Sequence, residues 1–386
     1  MTERLYYQDC YLREFRAQVV ETSADGLRVY LDRTAFYPTS GGQLFDIGIL
    51  GGANVTDVVD EGERVAHVAD SPLPLGEVSG EIDWVRRFDH MQQHSGQHLL
   101  SAVLAELFQM PTVSVHLGAE ISTIDLGSPV LTPARIEQAE ERCAEIVSQA
   151  RPIAIVFEEA GADLGLRKAS ERTGTLRVVS IDGVDRSACG GTHVKTTAEV
   201  GPVLVRKLDK MRGNVRLEFV CGLRALRQAR ADFRTLQEIS RVVSVPASDA
   251  PALIATQIGR LKAVEKDAQR LAGELALREG KELWGAAAPD PEGIRRVTVR
   301  GSMDDAVRTR AQAFCSQGRA VFLAISREPP ALLLAASADS GVHAGERVKA
   351  AVTAAGGRGG GNQALAQGSL PAGTDVDAIA RTVLLT

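Results

Sequence analysis

Thiols, long apolar runs and a strong excess of either charge are all scarce in this 386-residue chain, and each scarcity excludes a class of protein. Its five cysteines, at positions 10, 143, 189, 221 and 315, are odd in number and widely spaced. That pattern makes no disulfide framework and fits a reducing cytoplasm in which thiols stay free for a metal. The opening stretch Met1-Thr2-Glu3-Arg4-Leu5-Tyr6-Tyr7-Gln8-Asp9 lacks the apolar core of a signal peptide. The most apolar stretch near the C-terminus, Ala331 to Ala338, is far too short to cross a bilayer, so no membrane partner is expected. A formal net charge of -5 argues against strong non-specific nucleic-acid binding, although it leaves room for a local basic surface. Val205-Arg206-Lys207-Leu208-Asp209-Lys210-Met211-Arg212 and the segment from Arg224 to Arg234 are the candidates, with a solvated face as the alternative.

What is present is more pointed. His94 and His98 stand four residues apart in His94-Ser95-Gly96-Gln97-His98, which continues into the apolar run Leu99-Leu100-Ser101-Ala102-Val103-Leu104 and reads as the start of a helix. At that spacing both imidazoles leave one helical face. Almost ninety residues later, Cys189-Gly190-Gly191-Thr192-His193 sets a thiol and an imidazole on either side of a tight glycine turn. Together these hold four of the chain's twelve Cys and His residues, five of the one and seven of the other. Three nitrogens and one sulfur suit a single tetrahedral Zn2+ per chain. His90 shares the face of His94 and His98. Eight residues of helix span about 12 Å, so one ion cannot take both His90 and His98, and His90 is expected to support a ligand or face the substrate.

The hydrophobic fraction of 44% and charged fraction of 24% are ordinary for a globular protein, and the length suggests two to four domains. Phe15 to Val20, Gly26 to Leu31 and Arg64 to Val68 read as short strands between turn signals, which predicts a small β-barrel over residues 1–88. Residues 89–222 are expected to form an α+β domain carrying the metal ligands, with a hairpin at Thr112 to Leu117 and Glu120 to Leu126 and a helix from Thr132 to Gln149. Residues 223–288 become helical, with Ile254, Leu261, Ala268 and Leu275 recurring every seven positions. That row suits either packing within the chain or a homodimer through this segment and the C-terminal domain. Gly285-Ala286-Ala287-Ala288-Pro289-Asp290-Pro291 reads as a linker into a small α/β domain at 289–386, which contains the glycine cluster Gly356 to Gln363 as a turn or backbone-exposing loop.

In order along the chain, Ala35-Phe36-Tyr37-Pro38-Thr39-Ser40-Gly41-Gly42-Gln43, the His94/His98 pair followed by Leu99-Leu100, and Cys189-Gly190-Gly191-Thr192-His193 resemble the editing domain of alanyl-tRNA synthetases and their free-standing editing relatives. The wording of the Cys189 turn favours the alanyl over the threonyl branch. Val215-Arg216-Leu217-Glu218-Phe219 before Gly222 is similar to the close of that domain, and the glycine cluster followed by Ala364-Leu365-Ala366-Gln367-Gly368 is similar to the DHHA1 domain. The resemblance covers nearly the whole chain. Since the editing motif begins by residue 35, no aminoacylation domain is expected upstream of it.

The resemblance implies a zinc-dependent, cytoplasmic, trans-acting deacylase that hydrolyses the ester of serine, or of glycine, on tRNA(Ala). A pocket for alanine cannot strongly exclude smaller glycine, or serine with its one added hydroxyl. A second site that bonds the serine hydroxyl rejects alanine, because alanine leaves buried polar groups unpaired. Thr112, Ser114 and His116 fall at alternate positions of one strand and so are expected on one face, Thr112 and Ser114 toward the substrate, with Gly41 and Gly42 allowing close backbone approach and His90 nearby. Gln43 or His116 is the expected water-positioning catalytic group. The metal pattern also occurs in zinc proteases, but these need a glutamate where Ser95 stands. A zinc-stabilised tRNA-binding protein without hydrolytic activity is the remaining alternative.

Overall fold

A computed structural model describes residues 1–385 apart from 129, 161–163, 170–172 and 212, so Arg212 of the first basic segment lies outside the described residues. It is a mixed α+β structure with several separate sheets, divided into compact units at Met1–Glu238 and Ile239–Thr386. No helix among the described residues is long and apolar enough to cross a membrane.

The first unit opens with a closed six-stranded barrel: β1 (Glu14–Thr22), β2 (Arg28–Leu31), β3 (Gly48–Leu50), β4 (Ala53–Glu61), β5 (Arg64–Ala69) and β6 (Gly76–Ile82), in the order β1-β2-β5-β4-β3-β6. Alternation drives it: Phe15, Ala17 and Val19 of β1 point inward and pack with Val29, Leu31, Phe36, Leu50 and Val65, while their neighbours are exposed. Helix α1 then runs from Trp84 to Phe108. It therefore begins ten residues before His94, not at it, because the Asp83 carboxylate caps the first turn by accepting from Arg86 N at 3.0 Å. The helix also runs through residue 88, where the barrel was expected to end.

Nearly every side chain of α1 from His90 to Leu104 is buried, because the helix is enclosed by the rest of the unit. Around it lie β7 (Thr112–Leu117), β8 (Ser122–Leu126), helix α2 (Pro133–Ser148), β9 (Ile153–Glu159), β10 (Thr175–Ile181), β11 (Asp185–Ala188), β12 (Val203–Met211) and β13 (Asn214–Cys221). These strands form a four-stranded antiparallel sheet in the order β12-β13-β8-β7 and a three-stranded one in the order β9-β10-β11. Leu99, Leu100 and Val103 of the helix join Ile124, Leu126, Val179, Ile181 and Phe219 of both sheets in one core. At its barrel-facing end Arg87, fully buried, pairs with Asp46 and donates to the Cys10 and Ala35 carbonyls. Such a pair breaks at high cost, because either partner alone is an uncompensated buried charge. Helix α3 (Gly222–Val243) follows. Both basic segments are partly neutralised: Arg206 pairs with Asp232, Lys207 with Asp209, and Arg224 with Asp89.

In the second unit, helix α4 (Ala250–Ala286) precedes a five-stranded sheet of β14 (Arg295–Arg300), β15 (Ala320–Arg327), β16 (Pro330–Ala336), β17 (Arg358–Gly361) and β18 (Leu365–Ser369), in the order β14-β15-β16-β18-β17. Helices α5 (Asp305–Cys315), α6 (Ala344–Ala354) and α7 (Val376–Leu385) pack on it. Two expectations are corrected here. Gly285 and Ala286 belong to α4, not to a linker. The glycine cluster is not a loop: Arg358–Gly361 pairs antiparallel with β18, where a Cβ on Gly361 would meet Leu365 O at 2.2 Å.

Candidate metal centre

The first unit brings the two ligand pairs together. The ligating atoms of His94, His98, Cys189 and His193 lie within 4.8 Å of one another, with three of the residues buried and Cys189 partly so. Cys189 Sγ stands 3.4 Å from His94 Nε2 and 3.3 Å from His193 Nε2. Zn–N and Zn–S bonds of about 2.0 and 2.3 Å at tetrahedral angles would separate N and S by roughly 3.5 Å, so the spacing fits a zinc-sized ion. α1 supplies one pair and the turn after β11 the other. The turn must come very close to the helix: a Cβ on Gly191 would fall 2.1 Å from His94 Cε1.

Each imidazole points one nitrogen inward because its other nitrogen is held from outside. His94 Nδ1 meets Gln43 Oε1 at 2.8 Å, His98 Nδ1 meets Asp185 Oδ2 at 2.9 Å, and His193 Nδ1 meets Ser95 Oγ at 3.1 Å. Outer partners of this kind fix the tautomer and raise ligand basicity. They are themselves anchored. Gln43 Oε1 also accepts from Thr192 N at 3.2 Å and its Nε2 donates to Thr192 Oγ1 at 2.8 Å, while Asp185 accepts from Arg167 Nε at 2.7 Å and Ser187 Oγ at 2.9 Å.

The electrostatics of the metal-free cluster agree with a cation site. Burial opposes ionisation of Cys189, yet the His94 and His193 rings hold its thiol well below the usual range, which favours the thiolate. Burial likewise opposes a charge on His98, but the hydrogen bonds it donates to Asp185 and Cys189 push it up to about 9. Burial and the neighbouring His94 drive His193 down to about 3. A bound ion would displace the His98 proton and take over its charge.

His94, His98 and Cys189 of the cluster form part of the wall of a cleft of about 470 Å³. Gly41, Thr112 and Ser114 line it, together with Tyr7, Ser40, Gln97, Lys168 and the Cys189 turn. Four other expected residues are placed elsewhere. Gln43 is fully buried, its amide is engaged by Thr192 and His94, and it does not line the cleft. His116 is exposed on β7 opposite Thr123 and does not line the cleft. Gly42, at φ +85°, serves the scaffold: its carbonyl accepts from Leu117 N at 2.9 Å, which ties the loop to β7. His90 is buried beneath the helix surface with an unbonded Nδ1, and burial, then Arg86, lowers it to about 4.

The single face expected for Thr112, Ser114 and His116 is also corrected. A bulge shifts the register so that Thr112 opposes Leu126 and Ser114 opposes Asp125, adjacent residues that leave β8 by opposite faces. Thr112 Oγ1 accordingly reaches Ser101 on α1 at 2.7 Å, whereas Ser114 Oγ reaches Asp125 Oδ2 at 2.6 Å. Sequence reasoning also passed over Ser95, Asp185 and Thr192. Ser95 sits inside the histidine motif and was legible in principle, but no spacing rule connects Asp185 to His98.

A barrel joined by one long helix to a three-histidine, one-cysteine cluster can now be set beside known proteins. Residues 176–218, which contain Cys189 and His193, match the family described as the threonyl and alanyl tRNA synthetase second additional domain. Along nearly its whole length the chain is similar to the alanyl-tRNA editing protein AlaX-L of Pyrococcus horikoshii, at 31% identity across 96% of this chain and 95% of that protein. The alanyl-tRNA editing protein Aarsd1 of Mus musculus is 28% identical over 89% of each chain. The alanine–tRNA ligase of Pyrococcus abyssi is 30% identical over 96% of this chain, which spans only 42% of the ligase. The chain belongs to the alanyl-tRNA editing protein family.

Proposed function

We propose that the protein is a trans-editing hydrolase that removes serine, and glycine as a second substrate, from mischarged tRNA(Ala) in the cytoplasm. The observation that carries this reading is the ligand cluster at the wall of an open cleft, in a chain similar over almost its full length to alanyl-tRNA editing proteins. The ion is proposed to be one Zn2+ held by His94, His98, Cys189 and His193, since the donor set and its spacing fit that metal. Bound there, it would supply Lewis acidity toward the ester carbonyl or its attacking water.

The chain's own residues do the rest. Gln43, Asp185 and Ser95 hold the three imidazoles in one tautomer and orientation. Gly41, exposed and without a side chain at the cleft edge, leaves room for the aminoacyl end of the tRNA. Thr112 and Ser114 both line the cleft as substrate-facing residues, and the Ser114 hydroxyl is the one available to recognise serine, so that alanine, which makes no such bond, is bound less well. A homodimer is proposed through α4, whose Ile258, Leu261, Leu271 and Leu275 are each at least 50% exposed.

The test is Cys189→Ala assayed for bound zinc and for release of serine from Ser-tRNA(Ala). Loss of both supports the reading. Loss of zinc with undiminished hydrolysis removes the metal from catalysis, and a wild-type protein that binds charged tRNA(Ala) without hydrolysing it favours a zinc-stabilised binding protein.

A further inference from the structure

Between His94 and His98 of α1, Gln97 leans into the cleft and is joined to Thr112 through one shared atom. Gln97 Nε2 donates to Ser101 Oγ at 2.8 Å, and Thr112 Oγ1 donates to the same oxygen at 2.7 Å. Ser101 is fully buried and Gln97 is only 5% exposed, so the small accessible part of Gln97 is the part that meets the cleft. A hydroxyl oxygen has two lone pairs, and both of those on Ser101 are occupied by these donors. Thr112 therefore has its only hydrogen directed away from the cleft. Gln97 Oε1 makes no hydrogen bond among the described residues, in contrast to Gln43, whose amide oxygen is shared by His94 and Thr192. Two oxygen acceptors, Gln97 Oε1 and Thr112 Oγ1, are thus left on the cleft wall beside His94 and His98.

We infer that Gln97 and Thr112 form an acceptor pair for the α-ammonium group of the aminoacyl ester, so that the cleft selects esters carrying a free, protonated amine. This rests on the ester-hydrolase reading above and deepens it. An ammonium offers three N–H donors and a positive charge, and a hydrogen bond to a charged group is about twice as strong as a neutral one. The buried Ser101 acts as a positioning residue, since its single oxygen sets the orientation of both acceptors. The arrangement also separates two tasks: the amine is read on the α1 side of β7, while Ser114, directed by the bulge to Asp125, lies on the other face.

The experiment compares the zinc-loaded full chain on Ser-tRNA(Ala) and on glyceryl-tRNA(Ala), in which a hydroxyl replaces the ammonium and the side-chain hydroxyl is kept. Each kcat/KM is divided by the ester's uncatalysed hydrolysis rate, and zinc content is measured for every variant. Wild-type protein is expected to prefer the seryl ester by about tenfold or more, the size of one hydrogen bond to a charged group. Gln97→Leu and Thr112→Val should each shrink that preference, with most of the loss on the seryl ester, and Gln97→Glu should keep it, because a carboxylate still accepts from an ammonium. A wild-type protein without preference, or variants that lower both esters equally, would overturn the inference while leaving the deacylase reading intact. Failure of the wild type to hydrolyse either ester would overturn both.

Discussion

Replacing Asp185 with asparagine probes how the metal centre is held together. Asp185 is fully buried at its side chain, with one oxygen 2.9 Å from His98 Nδ1 and the other 2.7 Å from Arg167 Nε. Asparagine keeps the volume and one acceptor, so the fold has little reason to change. It removes the negative charge that makes His98 a stronger ligand and leaves the Arg167 guanidinium without its ion pair. Substitutions at such outer positions weaken metal binding by about 10- to 100-fold, or roughly 1.4–2.7 kcal/mol. The expected result is therefore Zn2+ affinity lower by one to two orders of magnitude in a chelator competition titration, with far-ultraviolet circular dichroism unchanged. Unaltered affinity in a folded variant would refute the argument that the outer carboxylate orients His98.

Other outcomes follow from individual contacts. Gln43→Ala should weaken zinc by about tenfold with a small effect on tRNA affinity, as chelator titration and filter binding would show, because Gln43 acts through His94 and does not line the cleft. Gly191→Ala should lose zinc more completely, measured by elemental analysis, since its methyl would collide with the His94 ring. His67 in the barrel is fully buried, accepting from Thr34 Oγ1, and burial lowers it to about 4. An unfolded histidine at about 6.5 binds the proton first, so its contribution is complete above about 6.5 and is lost as pH falls toward about 4, up to about 3 kcal/mol in all. Denaturant titrations of His67→Gln should show a flatter acid limb than wild type, and an identical limb would remove His67 as its source. Leu261→Asp with Leu275→Asp should convert a dimer to monomer in sedimentation velocity, whereas a monomeric wild type would remove the α4 pairing.

What was legible in the sequence was local. The barrel strand around Phe15, Ala17 and Val19 shows its period of two directly, and each ligand pair carries its own spacing, helical in one case and glycine-turned in the other. What was hidden depended on partners distant in sequence. Gln43 reads as a catalytic amide from its motif, and nothing there encodes its contacts with Thr192 and His94, while Asp185 carries no mark of its contact with His98. A register shift of one residue separates Thr112 from Ser114, and nothing in Thr-Val-Ser-Val-His encodes it. The segment Arg358–Gly361 read as a loop by composition, yet its glycines form an edge strand because the chain there lies too close to β18 for side chains. The start of α1 was missed because the run before His94 mixes Trp84, Val85, Phe88 and Met91 with polar residues, although Asp83 and Trp84 form an ordinary capped beginning.

The central claim, proofreading hydrolysis at the His94, His98, Cys189 and His193 centre, is tested most directly by deacylation of Ser-, Gly- and Ala-tRNA(Ala) with zinc-loaded, zinc-stripped and reconstituted protein. The account predicts release of serine and, more slowly, glycine by the zinc-loaded form, loss on stripping, recovery with added Zn2+, and sparing of Ala-tRNA(Ala) throughout. Equal hydrolysis of Ala-tRNA(Ala), or full activity in the stripped protein, would contradict it.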